Sequence, residues 1–75
     1  FWIHLDVDVL QDSLMPCVDH SQPGGLTYRE LGDLLRPLLR SALVYGIDIT
    51  IYNPVLDNNY HAAKEFVRNF KSWLA

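Results

Sequence analysis

The sequence predicts an α/β protein, a β-loop-α-β-α piece of a parallel sheet, on three observations. Residues 1–10 and 42–52 are apolar, β-branched and aromatic runs of strand type. Each is followed by a segment with helical periodicity, and the links between them are dense in turn formers. Alternation of strands with helices favours parallel pairing through a right-handed crossover.

The first run, Phe1 to Leu10, carries the most chemistry. Side chains alternate across a strand, so His4, Asp6 and Asp8 fall on one face and Ile3, Leu5, Val7 and Val9 on the other. Ionised carboxylates buried side by side repel one another and cost several kcal/mol or more without a cation, so the pair predicts a divalent metal. Ligands of parallel sheets gather at the carboxyl ends of strands, and Asp6 and Asp8 lie near that end.

Residues 11–26 hold Asp12, Ser13, Pro16, Asp19, Ser21, Pro23, Gly24 and Gly25, which predicts a long loop. Thr27-Tyr28-Arg29-Glu30 has the form of a capping box and starts a helix at about Thr27. Leu31, Leu34, Leu35, Leu38 and Leu39 follow helical spacing and predict a leucine stripe packed on a sheet, with a kink or an early end at Pro37. After the second strand, Asn53-Pro54 and Asp57-Asn58-Asn59 mark turns. The last segment predicts an amphipathic helix with Ala63, Phe66, Val67, Phe70 and Leu74 inward and Lys64, Arg68 and Lys71 outward.

Seventy-five residues make at most one small domain, and a chain this short buries only about 60% of its unfolded surface. A complete enzyme is not expected; the chain reads as a portion of something longer. The net charge of −3 provides no basic surface for nucleic acid or an anionic membrane. The single cysteine, Cys17, forms no internal disulfide or thiolate cluster and fits a cytoplasmic setting. No apolar run approaches the ~18 residues of a membrane span.

Taken in order, Asp6-Val7-Asp8, Pro16, Pro23-Gly24-Gly25-Leu26-Thr27-Tyr28-Arg29-Glu30 and Asn53-Pro54 resemble the arginase/agmatinase ureohydrolase family. The resemblance covers nearly the whole chain and implies that residues 1–75 are a C-terminal portion of one ureohydrolase domain, with a doubly wound parallel sheet. It implies two manganese(II) ions in the intact enzyme, with Asp6 and Asp8 among their ligands. The activity implied is hydrolysis of a guanidino or amidine carbon–nitrogen bond, on a small guanidino or formimino substrate, by a full-length homo-oligomer. Carboxylate oxygens are hard donors that suit manganese, and a bound cation lowers the pKa of water. The remaining ligands of that family belong to strands upstream of these residues, so the 75 residues alone are expected to be inactive.

The chain departs from the family pattern at one dipeptide and two single residues. Gln11-Asp12 replaces an Asp-Pro, and Ile51 stands where a glutamate three places after the strand aspartate, here Asp48, would hold a guanidinium. Losing that carboxylate removes charge-assisted hydrogen bonds worth about 1.5–3 kcal/mol each, which implies a shifted substrate. His20 replaces a small threonine of the active-site loop and is the candidate catalytic residue, able to approach substrate or shuttle protons.

His4 reads as a hydrogen-bonded imidazole rather than a ligand, Glu30 as a cap and Asp48 as a buried polar anchor bonded to nearby amides. Gly24 and Gly25 read as turn residues, His61 as solvated, and Cys17 as a small loop residue. Two alternatives accompany the hydrolase reading: a non-catalytic metal-binding or structural relative of the family, and an interaction module that pairs through open sheet surface.

Overall fold

The computed structural model describes all of residues 1–75. Strand β1 (Trp2–Asp6) leads through a 3-10 turn (Val7–Val9) and a long loop into helix α1 (Tyr28–Leu39). Strand β2 (Gly46–Thr50) follows, then two short 3-10 turns (Pro54–Leu56 and Asn58–Tyr60) and helix α2 (His61–Leu74). The strands pair in parallel, Trp2 opposite Gly46, His4 opposite Asp48 and Asp6 opposite Thr50. This is the alternating order read from the sequence.

Helix α1 begins as its residues dictate. Thr27 Oγ1 accepts from the Glu30 amide at 3.1 Å, and Glu30 Oε1 accepts from the Thr27 amide at 3.0 Å. The Thr27 amide, with its hydroxyl beside it, holds the Glu30 carboxyl below its ordinary range. The helix passes through Pro37 and ends two residues on, at Leu39. The 11–26 loop is closed at its base, because Leu26 donates to Val9 at 2.8 Å and accepts from Gln11 at 2.9 Å. Gly25 makes that approach possible: its φ is +101°, and a Cβ there would come within 2.8 Å of the Val9 and Leu10 backbone.

One core joins Ile3, Leu5 and Val7 with Leu31 and Leu35 of α1 and Ala62, Phe66 and Trp73 of α2. The loop supplies Met15, Cys17 and Val18 to it, all buried, so a segment that reads as turn formers dives into the interior. Phe66 stacks on Phe70 with ring centroids 6.0 Å apart, and Trp73 meets both edge-on.

Several expectations are corrected. The first strand stops at Asp6, so Asp8 lies in the 3-10 turn, and Val9 is exposed rather than buried. The second strand is confined to Gly46–Thr50, leaving Leu43 and Tyr45 in solvent. Only Leu31 and Leu35 of the leucine stripe are buried, Leu39 partly, while Leu34 and Leu38 are exposed. In α2 the buried line is Ala62, Phe66 and Trp73, with Val67 and Leu74 outside. One face of β1, bearing Ile3 and Leu5, is buried with residues of both helices and the other is exposed, so only part of each wide apolar stripe finds cover.

Candidate functional site

The carboxyl ends of the two strands and the loops leaving them gather the polar residues. On the sheet face bearing Trp2, His4 and Asp6, the opposite strand contributes Asp48 and Thr50. Asp48 accepts from Trp2 Nε1 at 3.2 Å, and both its oxygens lie 2.9–3.0 Å from His4 Nδ1. Trp2 lies over Gly46, where a Cβ would come within 2.5 Å of the indole ring. One register step on, Thr50 Oγ1 donates to Asp6 Oδ1 at 2.7 Å.

Asp6 and Asp8 are both exposed. The premise of two charges buried in a strand is therefore corrected: within these 75 residues Asp6 is exposed at the strand end and Asp8 in the 3-10 turn, so neither carries the cost of burial here. Asp48 is likewise half-exposed, and its partners are side chains rather than amides. His4 is hydrogen-bonded as expected but lies in solvent.

No three of the chain's His, Cys, Asp and Glu side chains come together as a ligand set. The donors present nonetheless suit a hard divalent cation in part: Asp6 and Asp8 offer carboxylate oxygens at a strand end, and Asp6 keeps Oδ2 free of the Thr50 bond. His20 is exposed, and with no such cluster in the chain it does not join Asp6 and Asp8 as a third ligand.

Beside His20, Asp19 is tied to the turn after β2, since Asn53 Nδ2 donates to Asp19 Oδ1 at 2.8 Å. Asn53 also accepts from the Val55 amide at 3.0 Å, and its own amide donates to the Cys17 carbonyl at 2.8 Å. Just before Asn53 the backbone turns sharply, with Ile51 at φ +79°, a left-handed conformation that β-branched residues rarely adopt.

Asp57 anchors the start of α2. Buried, it accepts from Tyr52 OH at 2.6 Å and from the amides of Ala62 and Ala63 at 2.9 Å each. Burial opposes its charge, yet the Tyr52 hydroxyl and the two helix amides outweigh it and hold the carboxyl down at about 2. The largest cavity, about 580 Å³, borders Asp57, His61, Glu65 and Tyr28. Neither Asp6, Asp8 nor His20 lines it, and the Tyr28 hydroxyl is buried there without a partner.

Sequence reasoning missed Thr50, the Asn53–Asp19 bond and the Asp57 hub. An aspartate just ahead of a helix is a visible signal for the last. The first two depend on strand register and loop packing.

Parallel strands backed by helices, with acidic side chains at the strand carboxyl ends, define an α/β protein of the class that works at those ends. The chain belongs to the arginase family, which it matches over residues 1–71. It is 43% identical over 61 residues to N(1)-aminopropylagmatine ureohydrolase of Thermus thermophilus, covering 81% of this chain and 20% of that protein. It is 38% identical over 65 residues to an arginase of Brucella suis, covering 87% of this chain and 21% of that one. Among solved structures, formimidoylglutamase of Bacillus subtilis superposes with a TM-score of 0.83 at 29% identity, over 97% of this chain and 23% of the other. Arginase of Bacillus caldovelox gives 0.79 at 30% identity, over 99% and 25%. The chain thus spans about a fifth of the length of the curated relatives it matches.

Proposed function

We propose that these residues are the C-terminal portion of a manganese-dependent hydrolase that cleaves a carbon–nitrogen bond of a guanidino or formimino compound. The observation that carries the reading is the placement of Asp6 and Asp8 at the carboxyl end of a strand, in a chain that matches the arginase family almost throughout. Asp6 and Asp8 would hold the metal in concert with donors from elsewhere in the full-length protein. The chemistry such a metal would supply when bound is activation of water towards attack at neutral pH. His20 would approach the substrate from its loop and move a proton, and Ile51 would present an alkyl surface instead of a charge. The 75 residues alone would be inactive, since two carboxylates do not enclose two ions, and the full-length protein would act as a cytoplasmic homo-oligomer.

The test is an assay of the full-length protein loaded with manganese against arginine, agmatine, guanidinobutyrate and formiminoglutamate. Hydrolysis of one of these that is lost in Asp8→Asn supports the reading. No turnover of any, together with no retained manganese, overturns it.

A further inference from the structure

We propose that Thr50 is a positioning residue that fixes the Asp6 carboxylate by occupying Oδ1, so that Oδ2 would be the oxygen left open to a divalent cation. The proposal rests on the reading of Asp6 as a metal ligand and adds a residue to it. Asp6 and Thr50 are the last pair of the parallel ladder, directly opposite one another, and the 2.7 Å bond between their side chains crosses the strands. A hydroxyl donating to a carboxylate makes one of the stronger hydrogen bonds available to a side chain. Threonine is suited to this because branching at Cβ restricts χ1, so the hydroxyl is aimed without further ordering. Immediately after Thr50 the backbone leaves the sheet, with Ile51 at φ +79°. Thr50 is therefore the final β2 position from which the ladder directs a side chain onto this face.

The neighbouring carboxylate provides a contrast. Asp48 has both oxygens engaged, by His4 and Trp2. Asp6 has one oxygen occupied and one open. Of the two carboxylates on this sheet face, Asp6 is thus the one prepared to take a cation without giving up a partner. The hydroxyl fixes which oxygen is offered and along which direction, the service that outer hydrogen bonds render to metal-binding carboxylates.

The experiment titrates manganese into the full-length protein by calorimetry, for the wild type and for Thr50→Val, Thr50→Ala, Thr50→Ser and Asp6→Ala. Thr50→Val keeps the shape and removes the hydroxyl, and is expected to weaken manganese binding by about 10- to 100-fold. Thr50→Ala should match it and Thr50→Ser should restore most of the affinity, since serine keeps the hydroxyl and loses only the β-branching that aims it. The proposal is overturned if Asp6→Ala loses an ion while Thr50→Val binds as the wild type does, or if only Thr50→Ala is weakened, which would mark packing as the cause. If Asp6→Ala binds manganese unchanged, the ligand assignment beneath the proposal fails and the proposal with it.

Discussion

The side-chain amide of Asn53 lies 2.8 Å from Oδ1 of Asp19, and this contact ties the turn after the second strand to the loop after the first. The Asn53 backbone reinforces it by donating to Cys17, two residues from Asp19. His20 follows Asp19 directly, so a candidate catalytic loop is located by a residue on the adjacent strand's exit.

Replacing Asn53 by alanine removes a donor and an acceptor at once. The expected cost is about 1 kcal/mol in stability, with faster amide hydrogen exchange concentrated at residues 17–21. The exchanged pair Asp19→Asn/Asn53→Asp keeps an amide facing a carboxylate and keeps an acceptor for the Val55 amide. It should return exchange at the loop to the wild-type rate, whereas Asn53→Asp alone sets two carboxylates against each other and should not.

Thr27→Ala breaks the reciprocal cap of α1. A lost N-cap of this kind costs about 1 kcal/mol, and Thr27→Ser should recover most of it, as read from denaturant midpoints.

The Asp57 hub predicts sensitivity to acid. Its carboxyl lies at about 2 in the folded protein against an ordinary 3.8, so the folded state binds fewer protons than the unfolded state across that interval. The stabilisation is complete above about pH 4 and is lost as pH falls through 2. At the other extreme the bond to Asp57, together with burial, raises Tyr52 from 10.0 to about 12. There the folded state holds the proton longer, and stability falls as pH rises between those values. Asp57→Asn should flatten the acid limb of a stability profile measured by circular dichroism, and a limb of unchanged slope would show the hub carries no such linkage.

Ile51→Glu tests the substrate reading at the residue with the left-handed backbone. In the full-length protein a carboxylate there should raise kcat/KM for a guanidinium substrate by about 10- to 100-fold, the equivalent of one charge-assisted hydrogen bond. The expected gain is in KM, read by steady-state kinetics with arginine and agmatine. A variant that folds and shows no preference for the cationic substrates would place Ile51 away from the reacting group.

The alternation of strands and helices, the Thr27–Glu30 cap, the glycine turn at Gly24-Gly25 and the likeness to the arginase family were all legible in the residues. Each depends on neighbours within a few positions, or on a motif spread along the chain that needs no coordinates. Burial was less legible. Leu34 and Leu38 have the spacing of core residues and stand in solvent, while Met15, Cys17 and Val18, set among turn formers, are core. Periodicity reports which residues share a helix face and is silent on how wide a surface covers it.

The amino-acid order by itself determined which segments are strands and helices, where α1 begins, and that two carboxylates sit near the end of β1. Only the tertiary structure decided that Thr50 holds Asp6, that Asn53 holds Asp19, and that Asp48 is occupied by His4 and Trp2. The reason is physical: helix periodicity and capping act over a turn or two of chain, whereas these contacts join residues 34 to 46 positions apart. Their partners are chosen by strand register and core packing, which the chain acquires only once it has folded.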